Sequence, residues 1–319
     1  MGGDFGPAVV VPGAVAALRE AADLSLALYG DERAVRAELA KLDAGTLPLT
    51  VRHCSQDIEM AESPAAAIRG KPDSPIVRAI ADHKAGAVDA VVSAGSTGAM
   101  VAASLIVLGR LPSVDRPAIA VRIPTTHGHV LLLDAGANVQ NTPAQLLSFA
   151  EMGDVYAREV LGLTAPRVAL LNIGEEESKG SELLVAAHKL LRASRLNFAG
   201  NIEGRRLLLG DADVVVTDGF TGNMALKLVE GLAPFLKSLV EHRVPAGERA
   251  GVAGALGALL RHLDYADTGG ALLLGIAGVS VISHGASNER AIRSAVLAAG
   301  RLARHDIPAR LQARLAPSA

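Results

Sequence analysis

Tryptophan is absent from this 319-residue chain, aromatic residues make up only 3% of it, and cysteine occurs once, at Cys54. So few rings remove the stacking platforms on which single-stranded nucleic acids are held. One cysteine excludes an internal disulfide and fits a reducing compartment, so a cytoplasmic location is expected; without a motif around it, Cys54 reads as a small buried hydrophobe rather than a nucleophile. Neither sign of charge prevails, with 31 basic against 33 acidic residues and a formal charge of −2. No basic block marks a nucleic-acid partner. The most apolar windows, Val101–Leu108 and Ala271–Ile282, fall short of the roughly 20 residues a spanning helix needs, and Met1-Gly-Gly-Asp-Phe5 has no leader character. A soluble or at most peripheral protein is expected. Nucleotide fingerprints, a serine-hydrolase elbow and a zinc-protease helix motif are all missing. His127-Gly-His129 lacks a third metal ligand and is read as a turn between strands, and Asp211 with Asp213 as a strand-entry turn rather than a magnesium pair.

Half of the residues are hydrophobic, and their arrangement repeats. Val88–Ser93, Val130–Asp134, Val168–Asn172, Asp213–Thr217 and Gly278–Ser283 are short apolar runs of strand type. Each leads into a loop rich in glycine and then into a helical pattern, and the opening stretch is read as another such unit. Strands alternating with helices predict an α/β fold with a three-layer, Rossmann-like parallel sheet covered on both faces, here as one domain over residues 1–319. Residues 228–267 depart from the pattern and predict a helical excursion. Within it Gly247–Leu260 is read either as a core helix weakened by Gly251, Gly254 and Gly257 or as an exposed apolar lip for a lipid surface or acyl chain. Pro234 predicts a kink in the helix before it, whose apolar stripe is Leu228, Leu232, Phe235, Leu236 and Leu239.

The loops at the strand ends concentrate donors: Ser93, Gly95, Ser96, Thr97 and Gly98; Asn138; Ser178 and Lys179; Thr221, Gly222 and Asn223; His284. Backbone N–H groups and helix N-termini converging there suit an anion. The junction at Gly219-Phe-Thr-Gly-Asn223 reads equally as an anion loop and as a plain turn with Asn223 as helix cap.

Ser93-Ala-Gly-Ser-Thr-Gly-Ala99, Leu132-Leu-Asp-Ala-Gly-Ala-Asn138, Leu170-Leu-Asn-Ile-Gly174 with Lys179-Gly180, Asn197-Phe-Ala-Gly-Asn-Ile-Glu203 and Val214-Val-Val-Thr-Asp-Gly-Phe-Thr-Gly-Asn223 resemble the PlsX family of phosphate acyltransferases. The likeness runs from Met1 to about Ser287. It implies a fold of the phosphotransacetylase and isopropylmalate dehydrogenase type, and the conversion of acyl-[acyl-carrier-protein] and orthophosphate to acyl phosphate for phospholipid synthesis. It further implies homodimers and peripheral membrane association, with no cofactor or metal. By position, Lys179 and Asn223 become the expected catalytic residues, and Arg69, Lys71 and Ser74 join His284 as expected substrate contacts. Ser96 replaces the family's usual asparagine and Thr268 its usual tyrosine. Family members also place an apolar strand before the M-G-G-D string that begins here at Met1. Its absence reflects the assigned start codon, a shortened chain or genuine loss, and genuine loss predicts poor stability. Competing readings are a short-chain phosphate acetyltransferase acting on acyl-CoA, and a non-catalytic membrane scaffold.

Overall fold

A computed structural model describes residues 1–260 and 269–316, and the chain divides into two compact units, Met1–Pro117 with Ala266–Ala319 and Ala118–Tyr265. The first unit opens with α1 (Pro7–Glu20), β1 (Leu26–Gly30), α2 (Glu32–Leu39), β2 (Leu49–His53), α3 (Pro64–Gly70) and α4 (Pro75–Lys84). Next come β3 (Val91–Ser93) and α5 (Thr97–Ala103), which runs on into a π-helical turn at Ser104–Leu108. Proline at the first turn of α1, α3 and α4 suits a position whose N–H has no helical partner.

The second unit holds β4 (Ala118–Thr125), β5 (Gly128–Leu133), α6 (Pro143–Glu159), β6 (Val168–Asn172), α7 (Glu182–Ala193), β7 (Phe198–Glu203), β8 (Val214–Val216), α8 (Gly219–Arg243) and α9 (Arg249–Leu260). Its strands lie in the order β4-β5-β8-β6-β7, parallel from β5 to β7, with β4 antiparallel to β5 across the turn at Thr126 and His127. The sheet is therefore mostly parallel rather than wholly so, because a two-stranded hairpin can close only antiparallel strands. On one face Val130, Leu132, Ala169, Leu171 and Val215 form a core against which Ala225 and Val229 of α8 pack. On the other, α6 comes so close that a Cβ at Gly153 would lie 2.5 Å from Val214. Burial on both faces explains why Val214–Val216 reads as an unbroken apolar run.

The chain then returns to the first unit as β9 (Ala271–Leu274), β10 (Ser280–Ile282), α10 (Glu289–Arg304) and α11 (Ile307–Leu315). Here β10 lies between parallel β3 and antiparallel β9, while β1 and β2 form a separate parallel pair. Gly13 lets α1 cross α10 closely, since a Cβ there would stand 2.6 Å from Ile292. Both β1 and β3 line a cavity of about 120 Å3 with Met1 and Gly2.

Several expectations change. The cap of α8 is Asp218, not Asn223: its carboxylate accepts the Thr221 N–H at 2.9 Å, so the helix starts four residues before the asparagine. The helix runs through Pro234, and its apolar stripe lies outside the core, with Leu228 70% and Phe235 58% exposed. Residues 228–260 of the excursion lie in α8, the turn after it and α9, and α9 is not a core helix. Among its residues only Leu260 is buried, and Gly251, Gly254 and Gly257 face open space. Residues 261–267 of the excursion, and Thr268, lie outside the described residues. Cys54 is buried as expected, Asp213 pairs with Arg167 at 2.9 Å and Asp211 with Arg206 at 2.6 Å. Among the described residues no helix is long and apolar enough to cross a membrane, and no cluster of His, Cys, Asp and Glu is placed to hold a metal ion.

Candidate active site

Neighbouring parallel strands β5, β8 and β6 release their loops at the same edge of the second unit. The first is built on a residue that motif reading passed over. Asp134 is wholly buried, and its carboxylate accepts N–H groups from Ile119 at 2.9 Å, Gly136 at 3.1 Å, Ala137 at 2.9 Å and Asn138 at 2.7 Å. It also accepts the Asn138 Nδ2 at 2.9 Å. Burial pushes its pKa up while these donors hold it down, with burial the larger effect. The loop Ala135–Asn138 is thus wrapped on one carboxylate. The amide nitrogen of Asn138, an expected substrate contact, is committed to holding that loop. The available signal was an acid closing an otherwise apolar strand ahead of Ala-Gly-Ala-Asn.

The loop after β8 lies directly on this frame. A Cβ at Gly222 would overlap the Asp134 carbonyl oxygen, and one at Gly219 the Asn138 carbonyl oxygen. Gly219 and Gly222 therefore let the first turn of α8 touch the Asp134 loop. The Gly219 N–H donates to Asn141 Oδ1 at 3.4 Å, and the Thr221 hydroxyl donates to Asp218 at 2.7 Å. Relieved of capping, the Asn223 side chain lies over Gly136, where a Cβ would stand 2.6 Å from its Nδ2. Gly136 has φ 131°, a conformation suited to glycine. Asn223 and the positive end of a 25-residue helix thus meet one backbone loop.

The loop after β6 supplies the cation. Asn172 donates its amide to the Lys179 carbonyl oxygen at 2.9 Å and accepts the Ile173 N–H at 2.8 Å. Lys179 itself is exposed and forms no ion pair among the described residues, although three glutamates precede it. Two of them are drawn elsewhere: Glu175 to Arg206 at 3.2 Å, and Glu177 to Arg192.

The remaining candidates belong to the first unit. Ser93 Oγ accepts the Gly95 N–H at 3.1 Å, and Ser96 caps α5 by accepting the Ala99 N–H at 3.4 Å, just before Thr97. On the adjacent strand end, the Ser283 N–H donates to the Ser93 carbonyl at 2.8 Å and His284 Nδ1 accepts the Ala286 N–H at 3.1 Å. Gly2 packs on Gly95, and the Asp4 N–H donates to the Gly285 carbonyl at 2.9 Å, so the opening string joins both loops. Gly98 admits Pro64 of α3 against α5, since a Cβ there would lie 2.7 Å from the proline ring. Arg69 at the end of α3 is exposed. Lys71 is already paired with Glu62 at 2.6 Å, and Ser74 is buried with its hydroxyl donating to the Lys71 carbonyl at 2.8 Å. Those last two contacts tie a local turn together.

A family model described as a fatty acid synthesis protein matches residues 1–310. A phosphate acyltransferase of Desulforamulus reducens is 47% identical over 302 residues, covering 93% of this chain and 90% of that one. One from Pelotomaculum thermopropionicum is 46% identical over 98% of this chain and 91% of its own. Among solved structures, a phosphotransacetylase from Streptococcus pyogenes superposes with a TM-score of 0.64 over 92% of this chain and 91% of its own, at 17% identity. A second phosphotransacetylase, from Staphylococcus aureus, gives 0.60 at 18% identity, covering 91% of this chain and 90% of that one. These likenesses of structure speak to the fold.

Proposed function

The chain belongs to the PlsX family of phosphate acyltransferases, and from that premise we propose that it transfers the acyl group of acyl-[acyl-carrier-protein] to orthophosphate, forming acyl phosphate. One phosphate oxygen attacks the thioester carbonyl carbon, a tetrahedral oxyanion forms, and the carbon–sulfur bond breaks to release the carrier's thiolate. No enzyme nucleophile is required. The protein has to hold two reactants together, neutralise phosphate and stabilise the oxyanion.

The observation that supports this assignment of roles is that parallel neighbours β5, β8 and β6 release their loops at one sheet edge, the first two loops in contact, with a lysine on the third and an asparagine amide on the second that have no ion pair or hydrogen bond among the described residues. Lys179 holds phosphate or the developing oxyanion, Asn223 orients one reactant, and the N–H groups at the start of α8 complete the cradle. Replacing Lys179 with Ala lowers acyl-phosphate formation at least tenfold, which corresponds to ~1.4 kcal/mol of barrier. The assay offers palmitoyl-[acyl-carrier-protein] or palmitoyl-CoA with and without phosphate and traps acyl phosphate with hydroxylamine. Trapping that does not depend on phosphate would sink the reading, and a preference for the CoA ester would favour an acetyltransferase-like donor.

The same reading includes a cytoplasmic homodimer that touches membranes peripherally. Support for the membrane contact comes from the exposed apolar side chains of the α8–α9 hairpin, among them Phe220, Met224, Leu228 and Leu259.

A further inference from the structure

In the middle of β7, Asn201 donates its amide to the Glu176 carbonyl oxygen at 2.8 Å. That same carbonyl accepts the N–H of Lys179 at 3.1 Å. Lys179 is therefore gripped at both ends of its backbone: its N–H through Glu176 and Asn201, and its carbonyl by Asn172 from β6. Its ammonium is left without an ion pair among the described residues.

Asn201 can serve only with its nitrogen turned toward Glu176, since a flipped amide would set two oxygens face to face. With the nitrogen committed to Glu176, Asn201 Oδ1 faces His188 on α7, whose Nδ1 lies 2.9 Å away and, in the tautomer protonated there, donates to it and holds this orientation. The side chain of His188 is 4% exposed, stands edge-on to Phe198, and leaves Nε2 buried without a hydrogen-bond partner among the described residues, with Glu177 Oε1 3.9 Å away, beyond hydrogen-bond reach. A leucine or phenylalanine would fill that space without stranding a polar atom. A buried polar atom without a partner carries a cost, and the one hydrogen bond the imidazole makes among the described residues meets Asn201.

We propose that Asn201, oriented by His188, is a positioning residue for Lys179 and hence for the phosphate-bearing side of the reaction. This rests on the role given to Lys179 above. Neither residue touches substrate; both act by limiting where the lysine head can go.

The test combines kinetics with hydrogen exchange on the full chain. Asn201→Ala and His188→Phe, the latter keeping the ring packing and removing only the donor, are each expected to lower kcat/KM for phosphate about fivefold or more while KM for the acyl donor stays put. In a Lys179→Ala background the same changes are expected to add nothing, because residues acting through one group are not additive. Independently of activity, amide exchange at Lys179 is expected to quicken at least tenfold in Asn201→Ala. Exchange unchanged at residues 176–180, or losses that multiply with that of Lys179→Ala, overturn the proposal. A wild-type protein without phosphate-dependent turnover, or a fully active Lys179→Ala variant, would instead fault the reading on which it rests, and the exchange arm would still decide whether the clamp exists.

Discussion

Glycine decides the architecture of the site at single positions. Gly222 leaves room for the Asp134 carbonyl where any Cβ would overlap it, whereas Gly231, about two and a half turns further along α8, faces open space. Gly222→Ala is therefore expected to destabilise by about 1 to 3 kcal/mol through overpacking. Gly231→Ala should instead be neutral or stabilising by up to about 1 kcal/mol from helix propensity. Urea unfolding of the pair measures both. Cys54 has its pKa raised chiefly by burial, so a thiol reagent at neutral pH should label the native chain slowly and the urea-unfolded chain promptly. Lys179 and Asn223 are visible in sequence as donors in glycine-rich loops, and it is the family likeness of their strings that makes them the expected catalytic residues. Asp134, Asn172, Asn201 and His188 carry no such mark, since each acts on a group that only the fold brings alongside.

Helices and strands with a strong period were legible, and those whose partners define them were not. β5, β6 and β8 are buried on both faces and read directly as apolar runs. β2, with its exposed Thr50 and His53, has no such run, β4 is implied only by the turn at His127, and β9 is hidden inside the longer apolar window Ala271–Ile282. The apolar stripe of α8 was legible too, but its burial was not: Leu228, Phe235 and Leu239 stay exposed while Leu232 and Leu236 are half-buried. Val252→Ser with Leu259→Ser should thus lower sedimentation with anionic vesicles while leaving the unfolding midpoint within a degree or so, since neither side chain is buried. The loop after β2 is tied to α4 by Asp73, whose carboxyl is held at about 2, first by the Ser55 hydroxyl and N–H and then by Arg78. A folded pKa below the ordinary 3.8 means that this tie is intact above that value and is lost as pH falls through about 2. Ser55→Ala should move the Asp73 titration, followed by NMR, toward the ordinary carboxylate range.

At the scale of the molecule, a ligand that binds only the folded chain raises its stability. With phosphate bound at about 1 mM affinity, a tenfold excess over that constant adds about 1.4 kcal/mol. For a chain of this size that is a rise of a few degrees in Tm, which thermal unfolding with and without phosphate would read, and which Lys179→Ala should abolish. The sequence by itself determined the α/β class, the alternation of strand and helix, the lack of an internal disulfide, and the family. Those properties are written in composition, period and contiguous strings. Only the tertiary structure decided that Asp218 rather than Asn223 caps α8, that the Asn138 amide serves Asp134, and that Lys179 is gripped through its backbone with no ion pair among the described residues. These depend on which of several possible partners each polar group meets. A chain specifies that choice by packing distant segments together, with Asp134 and Gly222 far apart in sequence and in contact in space.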